Sequence, residues 1–382
     1  MSGKLKVAIL ADFPLHTIPD QNFAKPLGHY ATWLYPLAVA FEKSHDLEIH
    51  WVTFRAGLQK EITTSGWGQF FHILPTAFRG RAASLFWSDR RQIRKLLARL
   101  KPDLVHGWGN EDVWGWATIE SGWPHIVSVQ GLLGIYNKLG HFSWRNHFMG
   151  LVEATVLRHA QMVTTESLWA KMEIQKMTGR SDIELVEYGL PEGFFSHRSE
   201  PDLAKPFGIM IGIADHRKGI DLAVRLFARS ELRSTNLKVV GSTSPFGKAW
   251  AARATPNLEW VGRKTQDEVI HLMRRAVFLL LPTRADTGPT VAKEARAIGL
   301  PIIASPHGGH VQYIQEGKNG FICSLEDLDS WSKAIRYLGE SPLRAQNMGR
   351  FLQREHQALL SPKKTAHAFT QLYRKVLQAR NG

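Results

Sequence analysis

Apolar positions along this chain gather into short runs, each bounded by polar residues, Gly or Pro. Runs at 5–12, 47–54, 70–74, 104–106, 125–129, 162–165 and 183–186 are too short for helices and predict strands. Between them apolar positions recur at helical spacing, from Gly28 through Trp33, Leu34, Leu37, Ala38 and Phe41, and across 82–100 and 145–159. A second alternation begins near Pro206, with strand runs at 208–211, 237–240, 258–261, 277–281 and 302–304. There Thr265 and Glu268 stand at capping-box spacing and open a helix that runs to Ala276. Strands alternating with helices in this way predict an α/β chain of two doubly wound parallel sheets. Pro191, Gly193, Pro201 and Pro206 stand among polar residues and mark a linker. The expected units are therefore a first domain over 1–190 and a second over 205–361. A last helix over 362–382 carries Phe369, Leu372, Tyr373, Val376 and Leu377 at helical spacing.

The sharpest punctuation lies between the strand runs 277–281 and 302–304. Pro282 ends the first run, Pro289 suits the first position of a helix, and Gly299 suits the residue just past its last turn. The unit reads strand, loop, helix, strand, with the loop at a strand's carboxyl end, where open α/β sheets bind ligands. Asp286 lies in that loop and Glu294 about one turn into the helix. Gly288 permits close backbone approach, and the N–H groups of Thr290 and Val291 at the helix start form a ready anion site. A carboxylate only accepts hydrogen bonds, so it suits the hydroxyls of a sugar or ribose. A capping Asp and a solvated Glu would give the same spacing, and on spacing alone the two readings stand level.

Composition narrows the field. A chain of 382 residues, 44% hydrophobic, has material for two domains. Its single cysteine, Cys323, excludes an internal disulfide and fits a reducing compartment. No apolar run reaches the ~18 residues of a spanning helix, and a strand follows Met1 almost at once, so a cytoplasmic protein is expected. The net charge is +14 and unevenly spread: ten cations between Lys333 and Arg380 face only Glu340 and Glu355. Such a surface suits sugar nucleotides or anionic lipid, or is simply solvated; no nucleic-acid recognition motif accompanies it. The segment 78–101 sets Arg79, Arg81, Arg90, Arg91, Arg94, Lys95, Arg99 and Lys101 beside Leu85, Phe86, Ile93, Leu96, Leu97 and Leu100. It reads as a basic amphipathic helix for a peripheral membrane surface, or equally as a helix packed on its own sheet. The run Gly107-Trp108-Gly109-Asn110-Glu111-Asp112 fails a dinucleotide fingerprint at its sixth position. The 17 His show no metal-ligand spacing.

Taken together, Pro282-Thr283, Asp286 and Glu294 with seven residues between them, Glu294-Ala295, Gly299-Leu300-Pro301 and Gly308-Gly309 resemble the retaining family 4 glycosyltransferases. Lys218-Gly219 after the strand at 208–211 and Gly317-Lys318-Asn319-Gly320-Phe321 extend the likeness. The resemblance implies two facing Rossmann-like domains (the GT-B architecture), with the last helix returning to the first domain. It implies an enzyme of hexosyltransferase type with a nucleotide-sugar donor and no metal or other cofactor. The acceptor would be a glycan or a lipid-linked one, in surface polysaccharide or glycoconjugate synthesis at the cytoplasmic side of a membrane. Lys218 would hold the donor diphosphate, Asp286 the transferred sugar and Glu294 the ribose; Gly288, Pro289, Thr290, Val291, Gly28 and Gln130 would line the donor site. Asn110 and Glu111 would meet the acceptor. His106, in Pro102-Asp103-Leu104-Val105-His106, is expected to be structural. The chain also departs from the family: Asp286 stands for Glu, Gln312 for an acid, Gln130 for His. Gly212 and Ile213 stand where an Arg is usual, five or six positions before Lys218, leaving Arg217 and Arg263 as replacements. These departures keep a second reading open, a GT-B protein that binds or epimerises a sugar nucleotide without transfer.

Overall fold

The computed structural model describes residues 3–23, 33–77, 80–81, 84–110, 112–139 and 144–381; Gly28, Arg79 and Glu111 lie outside them. The first sheet contains β1 (Leu5–Leu10), β2 (Leu47–Ala56), β3 (Ile62–Gly66), β4 (Gln69–Thr76), β5 (Leu104–Trp108), β6 (His125–Ser128), β7 (Met162–Thr165) and β8 (Ile183–Leu185). Their spatial order is β3-β4-β2-β1-β5-β6-β7-β8. The second sheet contains β9 (Phe207–Ile211), β10 (Asn236–Val240), β11 (Leu258–Gly262), β12 (Phe278–Leu281), β13 (Ile302–Ala304) and β14 (Gly320–Ile322), in the order β11-β10-β9-β12-β13-β14. Every pairing is parallel except β3 with β4. Two doubly wound sheets are thus present, as the apolar runs predict.

Two strands escape the hydrophobic pattern. β3 is an edge strand of sequence Ile-Thr-Thr-Ser-Gly, with one apolar side chain to signal it. It is folded back on β4 by Trp67-Gly68, both at positive φ, which suits a two-residue hairpin turn. β14 has three residues, and its Gly320 lies so close to β13 that a Cβ there would sit 2.2 Å from the Ile302 carbonyl oxygen.

In the second sheet the strand order reverses between β9 and β12. Ligands of open α/β sheets lie outside the carboxyl ends of such a pair. The loops that follow β9 and β12 carry Lys218 and Asp286 respectively, so the topology alone brings these two residues together.

The helix Pro362–Asn381 packs on the first sheet, where Phe369, Tyr373 and Val376 join Val7, Ile9, Leu37 and Phe41 in one core. His106 is fully buried there, its ring nitrogens 2.9 Å from the Tyr373 hydroxyl and 2.7 Å from Ser128 Oγ. Burial holds its pKa down at about 3, so the ring is neutral and structural. The chain passes between the domains twice at one place: the Leu190 N–H donates to the Leu360 carbonyl at 2.9 Å and the Gly189 N–H to Thr365 Oγ1 at 3.0 Å.

The basic segment forms the helix Trp87–Leu100. Its apolar residues Ile93, Leu96 and Leu97 are buried in the first domain's core, so they do not form a lipid-facing side. Arg81 pairs with Asp89, Arg90 with Glu120 and Arg99 with Glu61, each at 2.6 Å. Trp87, Arg91, Arg94 and Lys95 remain exposed on its outer side.

Candidate active site

The loop after β9 is shaped by its own polar groups. The Asp215 carboxylate accepts from the Lys218 N–H at 2.7 Å, and Gly219 turns the chain at φ 78° into the helix Ile220–Phe227. The helix's Asp221 forms a two-point pair with Arg284 at 2.8 and 2.7 Å. Arg284 also donates to the His216 carbonyl at 2.6 Å, and its N–H to the Arg217 carbonyl at 2.8 Å. The two loops are therefore joined along their length. Gly219 sits where they touch: a Cβ there would fall 1.9 Å from the Pro282 carbonyl oxygen. Gly219→Ala is expected to lower the unfolding free energy by at least about 1 kcal/mol through its positive φ alone, and to displace Lys218. Urea denaturation and nucleotide titration of that variant check both effects.

Asp286 is 8% exposed. Its carboxylate receives the Lys218 ammonium in a short contact and Arg217 Nη1 at 3.2 Å. Burial pushes the carboxyl pKa up, but the Lys218 and Arg217 charges outweigh it and hold the group at about 2. Arg217 donates also to the Ala285 carbonyl at 3.1 Å. The guanidinium lies 4.6 Å from the centre of the Tyr136 ring, which belongs to the first domain. Two cations and one carboxylate thus meet at the carboxyl ends of β9 and β12.

The positions expected to carry an Arg add no cation to this cluster, although a Cβ on Gly212 would sit 3.7 Å from Lys218 Cε. Gly212 has φ 130°, a conformation that favours glycine, and Ile213 is exposed. Arg263 is exposed at the end of β11 and does not pair with Asp286. Arg217 is the second cation.

The helix Thr290–Ile298 follows, ended by Gly299 at φ 84°. Pro289 takes its N-cap, one position earlier than expected. Thr290 and Val291 open its first turn, and Glu294 is buried in the next. Gly288 is pressed against the first domain, since a Cβ there would lie 2.1 Å from Glu166 Oε1. Gly309 is tightly packed as well: a Cβ on it would lie 2.2 Å from the Thr287 carbonyl oxygen and 2.6 Å from the first domain's Ser167 Cβ.

First-domain residues grip this loop in ways the spacing does not reveal. The Thr287 N–H donates to the Tyr136 hydroxyl at 3.2 Å, the Thr287 hydroxyl to the Gln130 carbonyl, and the Ser167 hydroxyl to the Thr287 carbonyl. Gln130 therefore meets the site through its main chain. Asn110 is fully buried, and its amide donates to the Gly131 carbonyl at 3.0 Å and to Glu153 at 2.7 Å. That placement makes it a brace beneath the site, in place of the expected contact with an acceptor.

A buried ionic cluster lies beside the clasp. Lys293, 2% exposed, meets Glu166 in a short contact, Glu187 at 3.0 Å and the Tyr188 carbonyl at 3.0 Å. Burial, with the Glu187 and Asp286 charges, pushes Glu166 up to about 7 against the pull of Lys293. Tyr313 donates to Glu187 at 2.5 Å and the Gln312 amide does so at 3.0 Å. At position 312 an acid would place a third carboxylate against Glu187, so glutamine here is the residue the cluster accommodates.

Comparison with known proteins finds matches in both halves of the chain. The profile described as Glycosyltransferase Family 4 matches residues 31–192, and that described as Glycosyl transferases group 1 matches 194–354. A glycosyltransferase of Methanocaldococcus jannaschii is 31% identical over 34% of this chain and 37% of its own length. Glycogen synthase of Mycobacterium tuberculosis is 23% identical over 58% of this chain and 56% of its own. The chain thus matches these two curated relatives over less than two thirds of their lengths. Among solved structures, sucrose-phosphate synthase from Thermosynechococcus elongatus superposes with a TM-score of 0.79 at 17% identity, covering 98% of this chain and 100% of that one. Anabaena HepE in complex with UDP and glucose gives 0.69 at 13% identity, covering 96% and 99%. Both share the two-domain fold.

Proposed function

Because the chain belongs to the family 4 glycosyltransferases, we propose that it moves a sugar from a nucleotide-sugar donor to a glycan or lipid-linked acceptor, with retention at the anomeric carbon. The observation that carries this reading is the convergence of Lys218 and Arg217 on the buried Asp286, at the carboxyl ends of adjacent strands where the sheet order reverses. When the sugar's bond to the diphosphate breaks, negative charge grows on the diphosphate oxygens. Two fixed cations in a half-buried site stabilise that charge where water is scarce. Asp286 then accepts from hydroxyls of the transferred sugar, and Glu294 from those of the ribose. The residues of this site need no metal or other cofactor for that role. For the acceptor side, the exposed Trp87, Arg91, Arg94 and Lys95 of the helix Trp87–Leu100 suit a lipid-bound acceptor at an anionic, cytoplasmic membrane face.

Thermal melting with uridine-, guanosine-, adenosine- and thymidine-diphosphate sugars tests the donor half. A ligand at a hundred times its Kd should add about 2.7 kcal/mol to the stability of the folded chain; no shift with any of them sinks the proposal. Release of the nucleoside diphosphate then separates transfer from mere binding. It should be detectable in the unaltered chain and lost in Asp286→Asn and Glu294→Gln.

A further inference from the structure

We propose that Tyr136 is a positioning residue for donor binding, holding the Arg217 guanidinium by its face so that its edge can pass from Asp286 to the donor's diphosphate. The inference rests on the donor reading above and adds to it a residue from the opposite domain. Tyr136 lies on the short helix Leu133–Asn137, beyond the carboxyl end of β6. That helix is tightly anchored. The buried Glu153 carboxylate accepts from the Leu133 and Gly134 N–H groups, each at 3.0 Å, and from Asn110 at 2.7 Å. Gly150 lies against the other side, where a Cβ would sit 3.2 Å from Gly134 Cα. Asn137 donates to the Asn146 carbonyl at 2.8 Å. So fixed, the ring reaches across to the second domain, its hydroxyl at Thr287 and its face at Arg217.

A guanidinium binds anions through its edge and aromatic rings through its face. These two modes do not compete. Without ligand the edge is occupied by Asp286 and the Ala285 carbonyl. A diphosphate entering between Lys218 and Arg217 offers more negative charge than Asp286 and draws the same N–H groups. During that exchange the contact with Tyr136 persists, because it uses the other surface of the group. The long arginine side chain therefore does not need to be ordered anew when the donor arrives, a saving that an exposed arginine would lack. Since Tyr136 comes from the first domain, donor capture becomes sensitive to whether the domains are closed.

The test is titration of the full chain with UDP, ADP and GDP by calorimetry, in unaltered protein, Tyr136→Leu, Tyr136→Phe, Arg217→Gln and the Tyr136→Leu/Arg217→Gln double variant. A desolvated cation–ring contact of one to two kcal/mol corresponds to a loss of roughly tenfold in affinity for Tyr136→Leu. Tyr136→Phe keeps the ring and loses only the hydroxyl contact, so it should lose roughly twofold. The double variant should bind no more weakly than Arg217→Gln alone, because the ring acts through that arginine. Affinity losses that simply multiply in the double variant overturn the assignment, as does unchanged affinity in Tyr136→Leu. A thermal midpoint lowered without any change in Kd would mean a structural ring only, and also overturns it. Failure of the unaltered chain to bind any of the three diphosphates, by contrast, removes the donor reading itself and this assignment with it.

Discussion

Lys293→Met is expected to lower the unfolding free energy by about 3–5 kcal/mol, the usual range for removing one partner of a buried ion pair. Methionine approximates the length of the lysine stem and leaves no large cavity, so the loss isolates the charge. It would leave the first domain's Glu166 and Glu187 without the second-domain cation that lies between them, with Asp286 nearby. The effect has a pH signature. Glu166 already titrates at about 7 in the folded chain, above the 4.5 of a free carboxyl. An acid raised on folding gives stability that is present in full below its unfolded pKa and lost as pH rises through its folded one. The unaltered chain should therefore lose this contribution between about pH 4.5 and 7. In Lys293→Met the counter-charge is gone, the folded pKa of Glu166 climbs further, and the deficit relative to the unaltered chain is greater at pH 8 than at pH 5. Adding Glu166→Gln should shrink the deficit at pH 8. Urea denaturation of the unaltered chain, Lys293→Met, Glu166→Gln and the double variant at both pH values decides it; a deficit equal at the two would show that the carboxylates are not the cause.

Lys218→Ala should lower kcat by about 10²–10³, the range seen when one fixed donor to a developing negative charge is removed. KM for the donor should move less than kcat, because the contact strengthens as the leaving diphosphate gains charge. Arg217 remains beside Asp286 in that variant, so Asp286 keeps a counter-charge and the loop keeps its shape. Steady-state rates with donor varied at fixed acceptor provide both constants. A kcat within threefold of the unaltered chain would remove Lys218 from the chemistry.

The donor loop was legible because its signals are local. A strand closed by Pro282, a helix closed by Gly299 and a glycine pair beyond can be read within thirty residues, and the structure supplies the reasons for each glycine. Gly219 is required by the Pro282 carbonyl and Gly309 by the Thr287 carbonyl. What the spacing did not show lies between residues far apart in the chain. Tyr136 and Thr287 have nothing in their own neighbourhoods to announce that they touch. Lys293 looks like a solvated position on an amphipathic helix, yet the first domain covers it. Arg284, outside every motif, joins the two loops that hold the cations. The pattern of Trp87–Leu100 left a membrane surface and its own sheet equally open for a related reason: it states that one side of a helix is apolar, and the sheet beneath decides what that side meets. β3 escaped notice because an edge strand with a polar sequence has no alternation to read.

The paired passage of the chain at Leu190 and Leu360 constrains how the halves can separate. Two bodies joined at one place part most readily by a swing about it. Opening by that swing would part Tyr136 from Thr287 and Glu166 from Lys293 in the same movement, so the aromatic contact and the ionic one act as two teeth of one latch. A pair of fluorophores placed across the mouth of the cleft would report a single coordinate, and substitutions at either tooth should shift its distribution in the same direction.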